Sequence, residues 1–584
     1  MEDKNKSDSI RHSCAHLLAA AVKELWPGTH NAIGPAIENG FYQDFDFGKV
    51  KIFEDDLPKI EEKMREMLKS WGPFEEKEVS VKQALEDFAE NPYKLELIKE
   101  FAKEGKKITE NNPGGFLDLC KGGHSKDPQR ELKHFKLLSI AGAYWRGDEK
   151  NKMLTRIYGT VFPTKDELDK YLWQIEESKK RDHRKIGQEL KLFTISEKVG
   201  QGLILWLPKG NIIKEQLEDW AKATEKKWGY QRVTTPHITR SELFYVSGHL
   251  PYYKADMYPP MKIDDKEEYF LKPMNCPHHH MIFQSDPKSY KELPLRLAEY
   301  GGVYRYEASG QLFGLMRVRG MTQNDAHIYC TLDQAVDEFV EVMRLHEYYY
   351  KTLGITEYYL ELALRDPENK TKYHGDEKMW QLAEELMRKA VAKTEIKMIE
   401  QKGSAAFYGP KIDFIVKSSI GREFAVSTNQ IDLYMGRRFN LEYVDEHGKP
   451  QTPVIIHRAP LGSHERFIGF LIEHYAGALP LWLSPIQVSI LPISERHLSF
   501  AQKIKNLLDK ENIRAGIDAD NKTVGNKIRS STLQKIPYMV IIGDKELQDE
   551  SLKVAVRTRE GKDLGSIQIS KFIENLKEQI GKFL

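Results

Sequence analysis

Between residues 229 and 457, short runs that alternate apolar and polar side chains recur at 268–274, 300–307, 322–330, 411–417, 423–433 and 452–457. No other feature of the sequence constrains the fold as much. Alternation with period two belongs to a strand that buries one face. Six such strands, separated by helical stretches, predict a mainly antiparallel sheet. A helix at 208–228 and the strand YQRVTTP ending at Pro236 lead into it, and a helix at 465–476 follows its last strand. On the N-terminal side, Thr164-Lys165-Asp166-Glu167 is a capping box that opens a charged helix running to about residue 190. A helix polar on most faces bridges domains. On the C-terminal side Pro480 and Pro485 flank a second boundary, beyond which strands and helices alternate (QVSILPI, 495–511, IRAGID, 525–534, PYMVIIGD, LKVAVRTR) as in a small α/β domain. The expected boundaries are 1–163, 164–190, 191–483 and 484–584.

The first segment reads as α+β. Residues 9–26 have the three-and-four spacing of an amphipathic helix, 31–47 read as a hairpin, and 54–70 and 81–104 as charged helices. Residues 111–124 form a Gly-rich loop around a short strand, and 135–163 alternate. The chain has 584 residues, 40% apolar and 30% charged, enough for several packed cores. It has no apolar run of membrane-spanning length. Its start, MEDKNKSDSIRHS, has no apolar segment of a secretory signal, so the cytoplasm is the expected compartment. Four cysteines exclude a disulfide framework and leave core, metal-binding or catalytic roles. A net charge of +1 argues neither for nor against nucleic acid.

Three constellations carry chemistry. His12 and His16, four apart on a helix, share a face. Ser13 stands where a zinc protease of the His-Glu-x-x-His type has its glutamate. Cys120 and His124 form another pair four apart, and the four residues suit either a tetrahedral zinc site or a metal-free acid–base pocket. Cys276, His327 and His457 would leave a zinc position open if they meet, with His278, His279 and His280 as rival ligands beside Cys276. Arg305 and Glu307, two apart on an expected strand, share a face. Arg317 and Arg319 follow in a loop, and Arg466 opens a helix after Gly462-Ser463. Converging arginines suit a polyphosphate. No Gly-x-x-x-x-Gly-Lys-[Ser/Thr] loop exists, so ATP is not held by a phosphate-binding loop of that kind.

Together these segments resemble the three signature motifs of class II aminoacyl-tRNA synthetases. The helix and strand ending at Pro236 are similar to motif 1, Tyr304–Glu307 through MRVRGMTQNDAH to motif 2, and GSHERF to motif 3. More closely, RHSCAH, FLDLCKGGH, AGAYWRGD, KRDHRKIG, KPMNCP, GLMRVRG, AFYGPKID, HRAPLGS, PYMVIIGDKE and VAVRTR resemble, in order, the bacterial threonyl-tRNA synthetase family over about residues 9–580. The fold implied is an α+β multidomain chain. It comprises a class II antiparallel sheet core, an N-terminal α+β editing domain (1–163), a linker helix (164–190) and a C-terminal α/β anticodon-binding domain (484–584).

By that resemblance Cys276, His327 and His457 hold one Zn²⁺ per subunit, which takes the amino group and hydroxyl of L-threonine, and Asp325 accepts the same hydroxyl. Valine, isosteric but without the hydroxyl, is then refused by roughly 10⁴–10⁵, whereas the methyl that serine lacks is worth only about 1–3 kcal/mol. A second, hydrolytic site for seryl-tRNA(Thr) is therefore needed. The resemblance supplies it in His12, His16, Cys120 and His124, with Asp118 nearby and no metal. It also implies that Arg305 holds the α-phosphate and the substrate carboxylate, that Arg317 and Arg466 bind the outer phosphates of ATP, and that Glu307 meets the adenine edge or the Mg²⁺ shell. Gln323, Lys411 and Gln430 make further substrate contacts, and His249 serves transfer to the ribose of tRNA. Asn521, Glu546 and Arg557 read the anticodon, and motif 1 implies a homodimer.

The sequence departs from the family at several points. The sequence as read opens on the editing domain, so the small ubiquitin-like β-grasp domain that usually precedes it is expected to be missing. Met321 stands for a phenylalanine that stacks on adenine, and Ala425 for a glutamine of the threonine pocket. CysProHisHisHis stands for CysProGlyHis, and the KGGH spacing of the editing loop differs. None of these removes a zinc ligand or a motif arginine. Alanyl or prolyl specificity is a competing reading, but a pocket built to read a hydroxyl does not suit alanine. A non-enzymatic RNA-binding relative should have lost motif residues that are all present here.

Overall fold

The computed structural model describes every residue except Met1, 265–266, 370–371, 374–375 and 549–550, and the side chains of 2–5 and 252. The chain divides into two compact units between Glu176 and Glu177, inside the polar helix.

In the first unit, helix α1 (Glu2–Leu25) runs longer than the periodicity of 9–26 predicts. Its Cys14-Ala15, Leu17–Val22 stretch is fully buried against the antiparallel strands Gly40–Asp46, Met153–Phe162 and His134–Tyr144. The expected helix at 81–104 is two helices, Val81–Asp87 and Pro92–Lys103. Asn91 caps the second by accepting from Tyr93 and Lys94 N–H groups. Pro92 lacks the N–H that a continuous helix would need and sits in the first turn, where none is required. A separate three-stranded sheet carries Asp118–Leu119 at its end, and this places Cys120 and His124 beside α1.

The polar helix is also two: α2 (Lys165–Arg181) and α3 (His183–Glu189), with Asp182 capping α3 through the Arg184 N–H. After α4 (Pro208–Lys227) comes an eight-stranded sheet. Its strands are β1 (Gln231–Arg232), β2 (Leu295–Tyr304), β3 (Gly320–Cys330), β4 (Tyr358–Leu364), β5 (Met398–Lys402), β6 (Lys411–Lys417), β7 (Glu423–Asp432) and β8 (Val454–Ala459). The spatial order is β1-β2-β3-β8-β7-β6-β4-β5, antiparallel except at the two edges. The YQRVTTP stretch contributes only the two-residue edge strand β1. Two helices (Ala335–Thr352 and Glu377–Val391) and the strands β4 and β5, none of which the alternation indicates, pack with α4 and α6 (His464–His474) in the largest core. Helix α5 (Cys276–Gln284) begins at the cysteine.

The last hundred residues form a five-stranded mixed sheet with its own core. Strand Val488–Pro492 lies between two parallel neighbours, Ala515–Ile517 and Tyr538–Ile542. An antiparallel pair, Lys553–Thr558 and Asp563–Gln568, and the helix Ile569–Gly581 complete it; of these, only LKVAVRTR shows in the sequence pattern. Among the described residues no helix is long and apolar enough to cross a membrane.

Candidate active site and hydrolytic pocket

The sheet register builds the main site. His327 lies opposite His457, His457 opposite Gln430, and Gln430 opposite Lys411, across β3, β8, β7 and β6. Directly opposed residues point to the same face, so these four side chains form one row. Asp325 and Gln323 continue the same face of β3. Cys276 opens α5 over that face, and the ligand atoms of Cys276, His327 and His457 lie within 4.8 Å of one another.

The outer nitrogen of each histidine is held and the inner one is free. His457 Nε2–H donates to Asp432 Oδ2 at 3.0 Å, leaving Nδ1 buried and unpartnered. His327 Nδ1 pairs with His279 Nδ1 at 2.8 Å, leaving Nε2 buried and unpartnered. His279 Nε2 in turn pairs with Glu299 at 3.1 Å. Of the expected rival ligands, His279 is thus a support for His327. His280 pairs through Nδ1 with the Tyr329 hydroxyl at 2.9 Å. His278 keeps both nitrogens unpartnered, and burial, aided by the Lys272 charge, pushes its pKa down to about 4. None of the three belongs to the ligand group. Burial pushes the Cys276 thiol up, a cost that a divalent cation would remove by binding the thiolate. Two orphaned imidazole nitrogens facing a sulfur, each imidazole anchored from behind, fit a tetrahedral zinc with an open position. Asp325, buried and with its pKa raised by burial, accepts from Asn275 Nδ2 at 3.1 Å. Gly301 on β2 leaves room for that amide, since a Cβ there would overlap it.

The arginines are arranged differently from the sequence expectation. Strand β2 ends at Tyr304, so Arg305 and Glu307 do not share a strand face. Arg305 N–H still donates to Arg319 O at 2.9 Å, but Glu307 N–H turns back to Arg305 O. The turn brings Glu307 to Arg317, 2.8 Å away. Arg305 Nε donates to Pro273 O at 3.3 Å. Arg466, in the first turn of α6 with Ser463 as cap, lies among Asp413 and Arg317. Burial pushes its pKa down, with Asp413 opposing and Arg317 adding to the shift. Lys411 pairs with Asp413, and Gln430 accepts from the Tyr408 hydroxyl. His249 is buried, and burial together with the Arg305 charge pushes it down to about 4. Its Nδ1 meets Ser247 Oγ at 2.7 Å, and its Nε2 has no partner. Met321 lies opposite Val303 on β2, and Ala425 opposite Ile415 beside a bulge in β7.

In the first unit His12, His16, Cys120 and His124 also come within 4.8 Å. Here the donor atoms engage one another. Cys120 Sγ meets His12 Nε2 at 3.2 Å and His124 Nε2 at 3.4 Å, and His12 and His16 meet at 3.3 Å. His16 Nδ1 reaches Asp118 Oδ2 at 2.9 Å, and Lys94 Nζ reaches the other oxygen at 2.7 Å. Burial opposes charge on each group, but the partners outweigh it. Hydrogen bonds from His12, His124 and His16 bring the Cys120 thiol down to about 3. Asp118 and Cys120 raise His16 to about 9. Lys94 and His16 hold the Asp118 carboxyl well below the usual carboxylate range. Phe74 stacks on His124 at 4.0 Å. An open cavity of about 180 Å³ lies against His124, lined also by Glu76, Asn111, Ser125 and Lys126.

At the C-terminal sheet, Asn521 and Glu546 follow the carboxyl ends of parallel strands. Arg557 lies inside Lys553–Thr558 opposite Met539, with its Nε buried and unpartnered. The three make no mutual contact.

An antiparallel sheet with a helix on its third motif, carrying arginines over one face and no phosphate-binding loop, defines a class II aminoacyl-tRNA synthetase. Residues 253–475 match the tRNA synthetase class II core domain of the G, H, P, S and T enzymes. Residues 487–579 match the anticodon binding domain, and 111–158 the threonyl and alanyl tRNA synthetase second additional domain. The chain is 48% identical to the threonine–tRNA ligase of Cytophaga hutchinsonii, over 100% of this chain and 90% of that one. It is 46% identical to that of Flavobacterium psychrophilum over the same shares. A crystal structure of the RNA binding domain of threonyl-tRNA synthetase from Cryptosporidium parvum superposes with a TM-score of 0.65 at 36% identity, covering 68% of this chain and 98% of that one. The chain belongs to the threonine–tRNA ligase family.

His183 also pairs through Nδ1 with Glu473 at 2.8 Å; the KRDHRKIG motif holds the histidine, but nothing in the sequence signals a pairing that spans 290 positions.

Proposed function

We propose that the chain activates L-threonine with ATP, transfers it to tRNA(Thr), and hydrolyses seryl-tRNA(Thr) at the His12–His124 pocket. The observation that carries this reading is the pair of orphaned imidazole nitrogens beside Cys276, on the same sheet face as Asp325. Zn²⁺ held by Cys276, His327 and His457 would act as a Lewis acid toward the amino group and hydroxyl of threonine. Asp325 accepts the hydroxyl proton. Valine offers that buried carboxylate no hydroxyl and leaves it only the Asn275 bond, and an unmet buried polar group is what makes such discrimination large.

Arg305 orients the threonine carboxylate against the α-phosphate, and Arg317 and Arg466 take the outer phosphates together with Mg²⁺. The carboxylate oxygen attacks the α-phosphorus as the bond to pyrophosphate breaks, so fixed positive charge meets the charge that develops. Gln323, Lys411 and Gln430 line the same face as contacts for the adenylate, and Glu307 holds Arg317 until ATP is bound. His249, neutral near pH 7 with Nε2 free, accepts the proton of the attacking ribose hydroxyl. That hydroxyl adds to the acyl carbon and AMP leaves. Unpaired anticodon bases meet Asn521, Glu546 and Arg557. The active form is a homodimer in the cytoplasm, a compartment in keeping with four free cysteines.

In the hydrolytic pocket the charged His16–Asp118–Lys94 group and the Cys120 thiolate hold a water against the seryl ester. Water adds to the carbonyl carbon and gives up a proton, the bond to the ribose oxygen breaks, and that oxygen leaves with the proton the water released. The test is ATP–pyrophosphate exchange with threonine, serine, valine and alanine side by side. Exchange with threonine, less with serine and none with valine is expected; exchange with valine or alanine equal to that with threonine would overturn the reading.

A further inference from the structure

The loop that carries Arg317 is a tight one. Phe313 N–H donates to Arg317 O at 3.2 Å and Arg317 N–H to Phe313 O at 3.3 Å, which closes its neck and leaves Gly314, Leu315 and Met316 as the tip. A tip of three residues leaves backbone groups to be satisfied from elsewhere. Leu315 N–H donates to His183 Nε2 at 3.0 Å, across 132 positions of sequence. His183 is fully buried, and its Nδ1 lies 2.8 Å from Glu473 Oε1. One tautomer satisfies both contacts: Nδ1–H donates to the carboxylate and Nε2 accepts from the loop. Glu473 Oε2 is taken by Arg422 at 3.2 Å, and Asp182 by the backbone and guanidinium of Arg184. The acidic groups around His183 are therefore each paired, Glu473 with His183 and Arg422 and Asp182 with Arg184, and none is left over for a metal.

Arg184 adds a second grip. Its guanidinium, fixed by Asp182, lies over the Phe313 ring at 4.2 Å, and that ring meets His183 edge-on at 5.6 Å. Gly314 has φ +49°, and a Cβ there would overlap His183 Nε2 and crowd Arg184. On the other side Gly469 of α6 makes room for Leu315 and Met316. Glu473 sits at the end of α6 and Arg466 near its start, seven residues or roughly 10 Å apart. His183 thus touches both elements that carry phosphate-binding arginines, the loop of Arg317 and the helix of Arg466.

We propose that His183, with Arg184, is a positioning pair that fixes the Arg317 loop to helix α6, so that Arg317 and Arg466 face one polyphosphate at a set separation. This rests on the ATP-site reading given above. It assigns a role to the KRDHRKIG segment, which contributes no group to the reaction itself. An error of about 1 Å in such a placement costs up to roughly a hundredfold in rate.

The test uses the full-length protein with His183→Ala, His183→Gln and Arg184→Met. Two readouts are taken: KM values in threonine-dependent pyrophosphate exchange, and the rate of tryptic cleavage after Arg317 and Arg319 without substrates, followed by mass spectrometry. His183→Ala is expected to raise the ATP KM about tenfold or more while the threonine KM stays within about twofold, and to speed cleavage of the loop about tenfold. His183→Gln, which keeps one donor and one acceptor, is expected to bring both back to within about threefold of the parent. Arg184→Met, at a half-exposed position, is expected to raise the ATP KM about threefold. It decides the matter if His183→Ala does not fold. Unchanged ATP KM and unchanged loop cleavage, with activity lost only in proportion to folded protein, would overturn the proposal. If the parent protein shows no exchange at all, the ligase reading fails instead, and the cleavage rates still test the anchoring.

Discussion

The two histidine–cysteine clusters use the same residue types at similar spacing in contact, yet they are finished in opposite ways. In the N-terminal unit, Cys120, His12, His16 and His124 hydrogen-bond to one another, and a buried carboxylate and lysine stand behind them. In the sheet, His327 and His457 are anchored from behind by His279 and Asp432, and their other ring nitrogens, beside the Cys276 sulfur, carry no well-formed hydrogen bond. The first cluster is satisfied as an acid–base network. The second has unmet donors aimed at one point, and unmet buried polar groups are costly enough to need an explanation. What separates a metal site from a proton-handling pocket here is the partner list of each ring nitrogen.

The largest expected effect comes from breaking the second cluster alone. Cys276→Ser is expected to lower threonine-dependent pyrophosphate exchange by about a thousandfold or more, with hydrolysis of seryl-tRNA(Thr) retained. The converse change, His16→Ala, is expected to slow that hydrolysis by about a hundredfold while exchange with threonine is unaffected. It would be measured as deacylation of preformed seryl-tRNA(Thr). Asp432→Asn probes the support behind His457. A zinc affinity lower by about ten- to a hundredfold, read by competition with a chelator, is the expected outcome.

A smaller effect distinguishes the two thiols by pH. The Cys120 pKa is depressed from 9.0 to about 3, so its contribution to stability is full above pH 9.0 and is lost as the pH falls through about 3. The His16 pKa is raised from 6.5 to about 9, so its contribution is full below pH 6.5 and is lost as the pH rises through about 9. In between, Cys120 remains a thiolate. Its alkylation by iodoacetamide should change less than about twofold between roughly pH 6 and 8, where an ordinary thiol speeds up about tenfold per unit. A tenfold rise per unit at Cys120 would show that the cluster does not hold the thiolate.

Much of this arrangement was legible in the sequence. Five of the six alternating runs, 300–307 through 452–457, mark strands of the eight-stranded sheet; the run at 268–274 instead marks Glu268–Leu271, which belongs to a separate three-stranded sheet. Strand β5, at the edge of the sheet, escaped because it is mostly exposed and short of apolar residues, and β4, its inner neighbour, because Leu362–Leu364 is continuously apolar. The helix breaks at Asn91 and Asp182 were hidden because charge patterning continues across them, although each cap residue is in the sequence. Spacing could pair His12 with His16, which are one helical turn apart. It could not bring Cys276 to His327 and His457, since that requires the register of β3 against β8. The role of His279 and the place of Glu307 off the strand likewise depend on how distant segments meet.

On the proposed reading, the sheet cluster holds one metal and the N-terminal cluster holds none. Zinc analysis of the purified full-length protein beside its Cys276→Ser and Cys120→Ala variants tests it directly. One zinc per chain in the parent and in Cys120→Ala, and none in Cys276→Ser, is the result this account requires. Two zincs per chain, or one that survives Cys276→Ser and vanishes in Cys120→Ala, would contradict it.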